Sequence, residues 1–287
     1  MSFEAFIESA WNEHADQTRA VADRLQSSLH IVASAAQIGP YAQLVTHVFG
    51  EHQGRWDQGV ALLQSLRALP SCDSAAAAAL DRGIAALRYC DNDDAALAAL
   101  AVEDRIAALA TAAAALAGRH AFDAALAAYD RALALAAAGL PPGCAAHRAL
   151  AVGGNNLASA LEESRERSAD QTAGMVRAAE GGLMFWRLAG TWLEEERAEY
   201  RLARSLLLAD RAADAVQHAQ RCVDICASHD APAFERFFGH AVLALTQRAA
   251  GDARASAASR DLALQHHARI PADEQVWCKT DLHALGT

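Results

Sequence analysis

The sequence predicts an all-α fold, on the strength of three observations. Alanine, the best helix former and a poor strand residue, supplies 74 of the 287 residues. There are six prolines and few β-branched runs, which leaves little material for a sheet. Apolar and small residues recur at intervals of three and four along most of the chain, which is the signature of helices with one buried face. A chain of this length buries enough surface to be stable without disulfides or metal.

The elements follow in chain order. Residues 1–37 are expected to form an N-terminal capping helix, running from Phe3 to His30. YAQLVTHVFGEHQGRWDQGVALLQSL reads as two helices turning at Gly54, with Trp56 and Val60 opening the second. A weaker unit follows, with the acidic turn Asp91, Asn92, Asp93, Asp94, in which Asp93 or Asp94 is expected to cap the next helix. The turn lacks the glycine and the late glutamate of a calcium loop. Asp104 to Gly118 is an alanine-rich helix closed by its glycine, and FDAALAAYDRALAL, from Phe122 to Leu135, is the next. In that second helix Ala125, Tyr129 and Ala132 share one face, which Leu126 and Leu133 widen.

AVGGNNLASALEE reads as a further helix carrying Asn156, Leu157, Ala158 and Leu161. The helix around Tyr200 to Leu208 pairs with DAVQHAQRCVDI, where Ala215, Ala219 and Cys222 repeat the four-then-three spacing. FFGHAVLALTQRAAGD pairs with ARASAASRDLAL across a turn at Gly251 and Asp252. Residues 271–287 are expected to form a C-terminal capping helix, running from Asp273 to Leu285.

These pairs, and FDAALAAYDRALAL above all, resemble tetratricopeptide repeats, with units of roughly 40 residues rather than about 34. Gly154 stands where that family usually has tryptophan, and no proline follows Leu135. The resemblance implies one right-handed α-solenoid of five or six helix pairs, with repeats over 38–270 and a cap at each end. It also implies a protein or peptide interaction module that holds a partner segment in a concave groove. A ligand-sensing regulator for a small peptide or anionic metabolite is the alternative, and an all-α enzyme with an unrecognised site is a second.

Composition narrows the chemistry. Twenty-five basic against 35 acidic residues give a net charge of −10, and Lys279 is the only lysine. Such a chain is not expected to bind nucleic acid, because it repels phosphate at long range. The first residues carry Glu4, Glu8 and Glu13 and no basic leader region, and no uncharged apolar run reaches the ~20 residues that span a bilayer, so a cytoplasmic protein without membrane contact is expected. No phosphate-binding loop, dinucleotide fingerprint, HExxH or GxSxG occurs, so neither catalytic residues nor a cofactor is expected.

The six cysteines are scattered and read as free thiols. His218, Cys222, Cys226 and His229 lie on one sector of a helix, but the outer pair is eleven residues, about 16 Å, apart on a straight helix, too far for one tetrahedral ion. The expectation is therefore packed cysteines and no metal.

The polar feature with most content is Arg197, Arg201 and Arg204, spaced by four and three into a basic stripe opposite the apolar face of Leu202, Ala203 and Leu206. From the resemblance, Asn156 matches an asparagine that some family members use, with basic residues of the following repeat, to clamp a peptide's C-terminal carboxylate. Arg197 and Arg201 match those basic positions, while Ala110 and Ala114 stand where the preceding repeat would add a lysine and a second asparagine. The partner implied is a protein or peptide with an acidic or C-terminal carboxylate group. The other reading of the stripe is a solvated helix face, with Glu194 pairing with Arg197 and Glu199 nearby. On either reading the arginines are exposed, and Arg201→Glu is expected to leave the fold intact. Phe185, Trp186 and Trp192, and Phe234, Phe237 and Phe238, read as core, with Phe234 and Phe237 or Phe238 expected to seal adjacent repeats; anchors for a partner helix are the alternative.

Overall fold

The computed structural model describes residues 2–286, of which 78% of the chain is helical, with no strand among the described residues. It divides into two compact units, Met1–Gly153 and Gly154–Thr287. The division falls inside one helix.

The first unit opens with α1 (Phe3–Glu13) and α2 (Thr18–Ser27), then a 3-10 turn over Leu29–Ile31. Two helices thus stand where one cap was expected, because the polar stretch from His14 to Gln17 interrupts the apolar period. α3 (Ala35–Val45) starts at a capping box in which Ser34 and Gln37 satisfy each other's backbone. It runs directly into a π-helical segment, Thr46–His52. The chain then turns at Gly54, as the sequence indicates, in the left-handed region at φ 62°. α4 (Trp56–Arg67) and α5 (Ser74–Cys90) follow.

The acidic turn does not cap an α-helix. Asp93 precedes a 3-10 turn, Asp94–Leu97, without a side-chain cap, and the Asp94 carboxylate holds Arg131 instead. α6 (Val102–Gly118) and α7 (Phe122–Ala136) form the expected pair, and their bounds lie close to those read from the sequence. Ala125, Tyr129 and Ala132 are all fully buried, so the four-then-three spacing does mark the packed face. The Tyr129 hydroxyl donates to the Leu150 carbonyl at 2.8 Å, which meets the requirement that a buried phenol find a partner. The core of this unit gathers Phe6, Val21, Leu25, Tyr41, Phe49 and Leu63, with Phe6 stacked on Tyr41 at 5.9 Å.

α8 (Ala145–Glu163) carries the chain into the second unit. α9 (Ala169–Ala189) and α10 (Trp192–Leu208) each begin at a capping box, Ser168 with Gln171 and Thr191 with Glu194. α11 (Ala212–Ser228), α12 (Ala233–Ala249) and α13 (Ala253–His267) complete two further pairs, α10 with α11 and α12 with α13. A 3-10 turn, Gln275–Cys278, and α14 (Lys279–Ala284) close the chain. Ala215, Ala219 and Cys222 are fully buried together, so the cysteine fills an alanine slot. Phe237 is fully buried and meets Phe238 edge-on at 5.0 Å. No described helix is long and apolar enough to cross a membrane.

Candidate functional site

α10 presents its apolar residues as the spacing predicts, with Leu202, Ala203 and Leu206 almost wholly buried. Its three arginines lie on other faces, but they are not equally exposed. The Arg197 side chain is 56% exposed, whereas those of Arg201 and Arg204 are 21% and 26% exposed.

Each arginine holds a carboxylate of the same chain. Arg197 reaches Glu235 on α12 through Nε and Nη2. Arg201 binds Glu162 at the end of α8, and Ser205 Oγ donates to the other oxygen of that carboxylate at 2.7 Å. Arg204 sits between Glu162 at 3.5 Å and Asp281 of α14 at 3.1 Å, and donates to the Tyr200 hydroxyl, which itself donates to Asp281 at 2.8 Å. Glu162, Glu235 and Asp281 are nearly buried, so the network joins α8, α10, α12 and α14 through charge-assisted hydrogen bonds. Burial pushes the Glu162 pKa up, and Arg201, Ser205 and Arg204 oppose that shift.

The solvated-face reading is corrected at Glu199. Glu194 accepts from the backbone and hydroxyl of its cap residue Thr191, and its charge adds to the Glu235 hydrogen bond in raising the Arg197 pKa. Glu199, completely buried, is held by Arg187 on α9 and by His218 on α11. Asn156 is exposed on α8, six residues or about 9 Å along the helix before Glu162.

The cysteine and histidine sector of α11 is dispersed among different partners. Cys222 donates to Glu196 Oε1 at 2.7 Å and Cys226 reaches the same oxygen at 3.6 Å. His218 faces Glu199, and His229 stacks on Trp192 at 5.0 Å. Glu196 is 1% exposed, and its Oε2 has no hydrogen-bond partner. Burial pushes its pKa up to about 7, with nearby Glu235 adding to the shift while Cys222, Cys226 and Arg197 oppose it.

An open cleft of about 300 Å³ in the first unit is lined by Tyr89, Cys90, Asn92, Asp94, Leu116, Ala124 and Ala127. In the same unit His14, His47 and His52 come together, a cluster that sequence reasoning missed. No simple signal could have found it. His14 is 33 residues from His47 and 38 from His52, and residues five apart, such as His47 and His52, lie about 140° apart around a regular α-helix.

No family model matches the chain, and no curated protein matches it. Solved structures do. One is a Podosopora anserina kinesin light chain protein with nearly identical TPR-like repeats, at TM-score 0.52 and 16% identity over 82% of this chain and 95% of that one. Another is BtubC (BKLC) from P. vanneervenii, at TM-score 0.51 and 17% identity over 94% of this chain and 92% of that one. With the helix pairs already described, this similarity defines the fold as a TPR-like α-solenoid.

Proposed function

We propose that the chain is a protein-interaction module without catalytic chemistry, and that Arg197 receives an acidic or C-terminal carboxylate of a partner segment lying in the groove of the helix pairs. The observation that carries this reading is the contrast within the stripe. Arg201 and Arg204 are committed to buried carboxylates, while Arg197 offers more than half of its side chain to solvent and uses one edge of its guanidinium on Glu235. Glu235 fixes the orientation of the fork before a ligand arrives, which lowers the ordering cost of binding. Arg201 and Arg204 act in this reading as supports, and exposed Asn156 adds a neutral donor from α8. TPR-like helix pairs are the kind of element whose surface suits a peptide.

The test is a titration of the full chain with short acidic peptides, each made with a free C-terminal carboxylate and as the amide. The free acids are expected to bind at least about tenfold more tightly, the equivalent of one charge-assisted hydrogen bond at about 1.4 kcal/mol or more. Arg197→Ala removes that preference and Asn156→Ala reduces it less. Equal binding of acid and amide, or a preference that survives Arg197→Ala, overturns the assignment.

A further inference from the structure

The histidine cluster of the first unit has the organisation of a metal site. One ring nitrogen from each of His14, His47 and His52 lies within 4.8 Å of the others. The three rings meet edge to face, with centroids 4.7 to 5.0 Å apart. All three side chains are partly buried, so the cluster sits beneath the surface and remains reachable from solvent.

The surrounding hydrogen bonds fix which nitrogens are available. His47 Nδ1 faces the Glu51 carboxylate at 3.0 Å, and His14 Nδ1 faces the Trp11 carbonyl. Both partners accept protons, so both Nδ1 atoms are donors and, in the neutral rings, both Nε2 atoms keep a lone pair. This is the outer shell found around metal-binding histidines, one ring anchored by a carboxylate and another by a backbone carbonyl. The Nε2 atoms of His47 and His52 stand 3.1 Å apart, with His52 Nε2–H donating to the His47 lone pair, and a metal ion would replace that proton as His52 shifts to its Nδ1–H tautomer. Two nitrogens bound tetrahedrally to zinc at 2.0–2.1 Å are about 3.3 Å apart, so this pair already has the separation of two ligands, and the third nitrogen has to close by at most roughly 1.5 Å.

A second, independent observation is the backbone. Five residues of regular α-helix would send His47 and His52 to different faces, whereas the i to i+5 winding of Thr46–His52 returns them to one face. That winding is a departure from ordinary helix, of the kind that collects at functional sites. Trp11 packs 5.2 Å from the His14 ring and 5.1 Å from the His47 ring and walls one side. Charges at the rim are balanced. Glu51 lies beside His47, and Arg119 donates to the His52 carbonyl at 2.8 Å.

We propose that His14, His47 and His52 bind one divalent transition-metal ion of the zinc class, tying the end of α1 to the π-helical segment and leaving a fourth coordination position open. Three neutral imidazoles suit zinc, cobalt, nickel or copper rather than calcium or magnesium, which require oxygen ligands. This site is separate from the arginine stripe and does not depend on the peptide reading.

The probe is zinc itself, titrated into tag-free full-length protein against a chromophoric chelator. One ion per chain is expected. His14→Gln, His47→Gln and His52→Gln should each weaken binding by about 100-fold or more, and Glu51→Gln by about 10- to 100-fold through its hold on His47. Cys222→Ser and Cys226→Ser should leave it unchanged. Cobalt in place of zinc should give the visible spectrum of a tetrahedral nitrogen and oxygen site without thiolate charge transfer, a readout on the unmutated chain that no folding defect can imitate. Absence of saturable zinc binding, retention of zinc by the triple glutamine variant, or a thiolate band in the cobalt spectrum each overturns the site.

Discussion

At the scale of single residues, each arginine of α10 is set by the carboxylate it holds, Glu235 for Arg197, Glu162 for Arg201, and Asp281 with Glu162 for Arg204. Arg197, Arg201 and Arg204 occupy one stripe, but a stripe on a helix says nothing about carboxylates arriving from α8, α12 and α14, and it was these that made exposure the wrong expectation for two of the three. The consequence reverses the expected outcome of Arg201→Glu. That change places a second carboxylate against buried Glu162 and should cost about 3 kcal/mol or more, as breaking a buried pair does, rather than the small cost of a surface substitution. Urea denaturation of the variant checks it, and a midpoint equal to that of the parent chain would restore the exposed reading. Glu196 gives a prediction with a definite sign. Its ordinary value is 4.5 and its folded value about 7, so between those pH values the folded chain holds a proton that the unfolded chain has lost. The contribution of Glu196 to stability is fully present below pH 4.5 and is lost as pH rises through about 7. Glu196→Gln should flatten this part of the pH profile, measured as the urea midpoint against pH. An unchanged slope would show that the buried carboxyl is not the titrating group.

At the scale of elements, what was legible was periodicity, and what was hidden was anything that breaks it. α6, α7, α12 and α13 were recoverable because alanine and leucine recur without interruption and glycines mark the turns. α9 was not read as a helix, since Gly174, Gly181 and Gly182 lower its intrinsic propensity, and their burial shows that tertiary packing outweighs that cost. The π-helical segment was invisible for a related reason. Its winding breaks the regular helical period, and the segment packs against the end of α6, where a side chain on Gly118 would stand 2.7 Å from the Glu51 backbone oxygen. Gly118→Ala therefore forces backbone apart rather than a flexible side chain, and should cost about 1–3 kcal/mol. The same substitution should also weaken zinc binding at the histidine site, since Glu51 and its neighbours must move. A Gly118→Ala protein with parental stability would mean that the two segments separate freely.

At the scale of the whole molecule, the six thiols report on how the two compact units open. Cys90, Cys222, Cys226 and Cys278 are buried, while Cys72 and Cys144 are partly exposed. Burial raises the Cys90 thiol to about 12, and it raises Cys222 as well, where the hydrogen bond with Cys226 is the larger cause. The thiolate is the reactive form, so two thiols should react with a disulfide reagent in the folded protein and six in denaturant. The order in which the other four appear is the informative part. The first unit rests on a continuous core of large side chains, from Phe6 and Tyr41 to Leu80 and Leu87. The second unit buries Glu196, Glu199, Glu235 and Asp281, groups that draw water in once packing loosens. In helix-pair arrays stability is summed from local interfaces, so opening follows the weaker ones. Cys222, Cys226 and Cys278 should become reactive at a lower urea concentration than Cys90, read by mass spectrometry of pulse-labelled protein. Coincident midpoints for all four would mean that the chain unfolds as one cooperative body, and the buried carboxylates would then carry no separate weakness.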